Sequence, residues 1–121
     1  MAKILVVDDS ENIRRLVVST LERNGYECIS FDNGFEVIKN VESVAPDMII
    51  ADIMMPKLDG LKMLMALKNR KETKDIPLVF LTSKSDVKSV AEGINLGAKC
   101  YLTKPILLDE LLKTVKNIVG E

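Results

Sequence analysis

The sequence predicts an α/β domain in which five parallel strands are doubly wound by five helices, and three observations predict it. Strand-like and helix-like segments alternate along the whole chain, which is the signature of repeated βα units. The strands are continuous apolar runs such as Ile4-Leu5-Val6-Val7 rather than alternating ones, as a sheet covered on both faces requires. No linker or shift of composition divides the 121 residues, so residues 1–121 form a single domain of ordinary length.

The elements follow in order. The first strand is Lys3 to Val7, and Ile13, Leu16, Val17 and Leu21 then recur at helical spacing until Asn24-Gly25 stops that helix. Next come a strand from Tyr26 to Phe31, a helix from Phe35 to about Val44, a strand from Asp47 to Ala51 and a helix from Leu61 to about Asn69. Leu78 to Leu81 is the fourth strand, and the fourth helix carries Val87, Val90, Ala91 and Ile94 on one face before Gly97 closes it. Lys99 to Leu102 is the last strand, and the last helix presents Leu108, Leu111, Leu112, Val115 and Val119. Right-handed crossovers and the lack of a glycine-rich dinucleotide fingerprint favour the flavodoxin-like order 2-1-3-4-5. Its switch point lies between strands one and three, so a ligand belongs beyond the carboxyl ends of those strands.

Composition excludes several classes. Seventeen basic and eighteen acidic side chains leave a net charge of −1, which offers no field to steer the chain onto nucleic acid. The basic side chains of Lys62, Lys68, Arg70, Lys71 and Lys74 read as a solvated face. Charged residues interrupt every apolar run short of a membrane span, and the N-terminus has no signal-peptide pattern. The chain contains no histidine, so it can build neither a Ser-His nor a Cys-His nucleophile pair, nor a phosphohistidine. Cys28 and Cys100, 72 positions apart and without a CxxC, read as buried thiols of a reduced, cytoplasmic setting.

Chemically capable side chains stand at the strand ends: Asp8 and Asp9 after the first, Asp52 after the third, Thr82 after the fourth and Lys104 after the fifth. An Asp or Ser at such a place also serves as a helix cap, and that reading stays open for Asp8, Asp9 and Ser10. It suits Asp52 poorly, because the apolar Ile53-Met54-Met55-Pro56 separates it from the next helix. Three carboxylates meeting in one crevice repel one another unless a cation lies among them, and all-oxygen ligands select Mg²⁺ or a similar hard ion. Mg²⁺ keeps several waters and prefers one or two carboxylates together with phosphate oxygens, which brings a phosphoryl group into the inference. The Lys104 amine and Thr82 hydroxyl suit phosphoryl oxygens, and Asp52 is placed as nucleophile or acceptor.

Over its whole length the chain resembles a response-regulator receiver domain of the single-domain chemotaxis and sporulation-relay type. The resemblance rests on Val6-Val7-Asp8-Asp9-Ser10, on Asp52 with Met55-Pro56 and Asp59-Gly60, on Leu81-Thr82-Ser83 and on Lys104-Pro105. Asp52 follows Asp9 by 43 positions, Thr82 follows Asp52 by 30 and Lys104 follows Thr82 by 22. The resemblance implies that Asp52 accepts a phosphoryl group from the phosphohistidine of a histidine kinase or a histidine phosphotransfer protein. It further implies that Asp9, Asp52 and the backbone carbonyl of Met54 hold Mg²⁺, with Asp8 contributing through water. Lys104 would hold the phosphoryl group, aimed by a cis peptide at Pro105, while Thr82 moves toward that group and Tyr101 turns inward behind it. Met54 and Lys84 fall where the family tunes the lifetime of the phosphate.

Pro105-Ile106-Leu107-Leu108 places apolar residues where a helix cap is expected, and Leu107 falls off the core periodicity. It is either packed locally or part of a surface, formed by the fourth helix, fifth strand and fifth helix, that binds a downstream protein. Two rival functions fit less well. A haloacid-dehalogenase-type phosphatase needs a DxD pattern after the first strand, which Asp8-Asp9-Ser10 does not supply. A flavodoxin-like electron carrier needs a hydroxyl-rich phosphate loop and aromatics against its flavin, and aromatics are 4% of the chain. The two ends are compatible with a complete protein or with the receiver of a longer regulator.

Overall fold

The computed structural model describes residues 1–83 and 85–120. Five strands, β1 (Lys3–Val7), β2 (Glu27–Phe31), β3 (Met48–Asp52), β4 (Leu78–Ser83) and β5 (Cys100–Lys104), alternate with five helices. The helices are α1 (Glu11–Arg23), α2 (Gly34–Val44), α3 (Gly60–Lys68), α4 (Val87–Asn95) and α5 (Leu108–Val119). All strand pairs are parallel, in the order β2-β1-β3-β4-β5 expected from the sequence. β1 and β3 are neighbours although β2 intervenes in sequence, and the switch point lies between them.

Alternation within the strands divides the core into two layers. Leu5, Val7, Ile49, Ala51, Leu78 and Phe80 face Val37 and Val41 of α2 and Met63, Leu64 and Leu67 of α3. Ile4, Val6, Met48, Ile50, Val79 and Leu81 face Val17 and Leu21 of α1 and Leu111 and Val115 of α5. Every residue of β3 is buried, which accounts for its unbroken apolar sequence and for how firmly it presents its last residue, Asp52.

Three helical stripes differ from the sequence reading, the smallest difference being in α5, where Leu108 at the start of the helix is exposed while Leu111 and Val115 are buried. Leu16 of α1 is exposed, and the buried positions are Val17, Thr20 and Leu21. In α4 most of the apolar stripe faces outward: Val87 is 72% exposed and Ala91 and Ile94 are exposed as well, while Val90 packs partly buried against the core and Gly93 is the fully buried position. The reason is Phe80, whose ring fills the space beneath α4, so the helix can approach only through a residue without a side chain. A Cβ on Gly93 would stand 2.8 Å from that ring. Cys28 and Cys100 are partly buried rather than fully enclosed, because they sit on the two edge strands. Burial pushes the Cys28 thiol up to about 12, with Glu22 and Glu27 adding to it, and burial also raises Cys100, so both remain protonated thiols.

Candidate functional site

The carboxyl edge of the sheet gathers the predicted residues. Asp8 directly follows β1, Asp52 ends β3, Thr82 lies in β4 and Lys104 ends β5. The sequence reading placed the last three just past their strands; the ladders run on because Asp52 still pairs with Leu81, and Thr82 with Thr103. Among Asp8, Asp9 and Ser10, only Ser10 is a helix cap, its Oγ accepting the Ile13 N–H at 3.3 Å. Asp8 instead turns its carboxylate inward with 0% exposure, Oδ1 accepting the Ser10 N–H at 2.9 Å.

Asp52 is 5% exposed, and its Oδ1 accepts the Met54 N–H at 3.1 Å. The Lys104 ammonium bridges the two buried carboxylates, with Nζ 3.1 Å from Asp52 Oδ2 and 3.2 Å from Asp8 Oδ2. Asp9 stays exposed beside them, and Asp8, Asp9 and Asp52 each offer a carboxylate oxygen within 4.8 Å of the others. The peptide between Lys104 and Pro105 is cis, as expected. Thr82 is buried, and its hydroxyl donates to the Ser83 carbonyl at 3.3 Å.

The electrostatics follow from this crowding. Burial, then repulsion by Asp8, pushes Asp52 up to about 6, although Lys104 and the Met54 N–H pull it back. Burial alone would lower Lys104, yet the Asp52 and Asp8 carboxylates more than offset it and hold the ammonium above its usual range. Lys104 pairs with two of the three clustered carboxylates, Asp52 and Asp8, and Asp8 Oδ2 is buried without a hydrogen bond, Lys104 reaching it only as an ion pair. An all-oxygen pocket with surplus negative charge and an unsatisfied inward oxygen fits a hard divalent cation.

Tyr101, on edge strand β5, is half-buried, with 48% of its surface exposed. A cavity of about 140 Å³, lined by Thr82, Asp86, Val87, Val90 and Tyr101, lies at its foot. Leu107 is 60% exposed and caps α5 without any side-chain hydrogen bond, which removes the locally packed reading. Lys84 lies outside the described residues. Sequence reasoning missed Arg14, whose Nη1 donates to the Asp8 carbonyl at 2.7 Å. The signal was available: helical side chains lean toward the N-terminus, so with Ser10 as cap Arg14 covers the β1–α1 corner.

The chain matches the response regulator receiver domain family over residues 4–116. It is 41% identical over 117 residues to the alkaline phosphatase synthesis transcriptional regulatory protein PhoP of Bacillus subtilis, covering 97% of this chain and 48% of that protein. It is 37% identical over 114 residues to protein PilG of Pseudomonas aeruginosa, covering 94% of this chain and 84% of that one. The chain thus spans about half the length of several of the curated relatives it matches. Among solved structures it is similar to chemotaxis protein CheY4 of Vibrio cholerae, with a TM-score of 0.91, 35% identity and 98% coverage of both chains. A response regulator structure from Chloroflexus aurantiacus gives a TM-score of 0.93 at 30% identity, covering 99% of this chain and 98% of that one. With its sheet order, its acidic rim and these relatives all in agreement, the chain belongs to the response regulator receiver domains, the signalling switches of two-component systems.

Proposed function

We propose that Asp52 is the phosphoacceptor, taking a phosphoryl group in the cytoplasm from the phosphohistidine of a histidine kinase or histidine phosphotransfer protein. The observation that carries this reading is the Lys104 ammonium held between the Asp52 and Asp8 carboxylates, with Asp9 beside them. An Asp52 oxygen attacks phosphorus, the N–P bond to the donor imidazole breaks, and an acyl phosphate forms on the aspartate. Asp52 retains slight solvent access, so a donor can reach it, and above about pH 6 it is the nucleophilic carboxylate. Asp8, Asp9, Asp52 and the Met54 backbone carbonyl would hold Mg²⁺. Bound there, the ion supplies positive charge that offsets the negative charge of the incoming phosphoryl oxygens.

Lys104 trades its bond to Asp52 for phosphoryl oxygens, and the Thr82 hydroxyl turns from the Ser83 carbonyl toward them. Vacating that spot enlarges the cavity beneath Tyr101, into which the ring moves. The elements around β5 then change the surface they offer a protein target: Tyr101, Val87 of α4 and Leu107 and Leu108 at the start of α5 are exposed apolar groups there.

Incubation with acetyl phosphate and Mg²⁺, followed by intact mass measurement, tests the reading. The mass of one phosphoryl group is expected, abolished by EDTA and by Asp52→Asn; Lys104→Ala is expected to bind Mg²⁺ yet respond poorly. Undiminished phosphorylation of the Asn variant would refute the assignment.

A further inference from the structure

We propose that Arg14 is a positioning residue for the acidic rim: its guanidinium clamps the Asp8 carbonyl and so sets how Asp8 and Asp9 meet a divalent cation. This rests on the reading that the rim holds Mg²⁺. Two groups of Asp8 are already tied down, the N–H to the Phe31 carbonyl at 3.3 Å and Oδ1 to the Ser10 N–H at 2.9 Å. The Asp8 carbonyl precedes α1, and Arg14 Nη1 takes it at 2.7 Å, a short charge-assisted bond. Arg14 also gives its backbone N–H to the Ser10 carbonyl at 3.0 Å, so one residue ties the first turn of α1 to the end of β1.

Its neighbour makes the contrast. Arg15 forms a solvent-exposed pair with Glu11, whereas Arg14 is partly buried and forms no ion pair among the described residues. Charge and geometry predict opposite outcomes. A cation near the rim repels Mg²⁺, so removing Arg14 would tighten binding if charge alone mattered, and weaken it if the clamp matters.

The test is Mg²⁺ titration by calorimetry on the wild type, Arg14→Ala, Arg14→Lys and Arg15→Ala, with circular dichroism and metal-free melting to verify folding. Arg14→Ala is expected to bind about tenfold more weakly, as for other groups that orient metal ligands. Arg14→Lys should fall between, because an ammonium lacks the planar fork, and Arg15→Ala should match the wild type. Should the Ala variant fail to fold, the Lys variant decides. Binding by either Arg14 variant as tight as the wild type, or tighter, overturns the clamp. Acetyl phosphate and intact mass run in parallel separate the two ideas: a wild type that binds no Mg²⁺ and gains no phosphoryl group overturns the phosphoacceptor reading itself.

Discussion

Asp52 and Lys104 show how burial and charge set the state of single residues. Asp52 rises to about 6 because its shell of buried apolar side chains and the Asp8 carboxylate disfavour its charge more than Lys104 favours it. The sign of the stability effect follows. Between its ordinary value of 3.8 and about 6 the folded protein holds more protons at this site than the unfolded chain, so metal-free stability falls as pH rises through that window. Asp52→Asn removes this component. In EDTA the variant is expected to melt close to the wild type near pH 4 and above it at pH 7. The gain is on the order of 2–3 kcal/mol, or roughly 5–10 °C, measured by thermal melts across pH. Equal melting temperatures at pH 7 would contradict the electrostatic account.

At the scale of elements, the β3–α3 connection decides how Asp52 is presented. Lys57 takes a left-handed backbone conformation there, with φ 70°, and Asp59 caps α3 by accepting the Lys62 N–H at 2.9 Å. Gly60 then brings α3 against the end of β3: an added Cβ would lie 2.6 Å from the Asp52 carbonyl oxygen and 2.8 Å from the Phe80 ring. Gly60→Ala is expected to cost about 1–3 kcal/mol in urea melts and to slow acetyl phosphate labelling, because the backbone of Asp52, the proposed acceptor, must shift. The Asp59-Gly60 pair of the sequence motif therefore has two separate physical jobs, a cap and a close approach. The outward turn of Val87, Ala91 and Ile94 in α4 belongs here too. Periodicity locates an apolar face on Val87, Val90, Ala91 and Ile94, but only the position of Phe80 determines that Gly93 goes underneath.

For the molecule as a whole, the acidic rim is a place where fold and ligand share free energy. The core holds the sheet together, while the carboxylates at its edge repel one another and oppose the folded state until a cation offsets them. Mg²⁺ at about 100 times its dissociation constant should stabilise the protein by about 2.7 kcal/mol, raising the melting temperature by roughly 5–10 °C, reversibly with EDTA. A melting temperature indifferent to Mg²⁺ would argue that the rim holds no such ion.

The amino-acid order alone determined the alternation of strands and helices, the sheet order and which residues would gather at the carboxyl edge. It could do so because parallel βα topology delivers strand ends to one rim whatever the side-chain details. Tertiary structure decided what depends on neighbours distant in the chain. It selected Ser10 rather than Asp8 as the cap of α1, turned Val87 and Ile94 of α4 outward, left Leu107 in solvent and put the Arg14 guanidinium on the Asp8 carbonyl. Periodicity identifies an apolar face, but packing volume and unclaimed hydrogen-bonding groups determine what that face and each polar side chain meet.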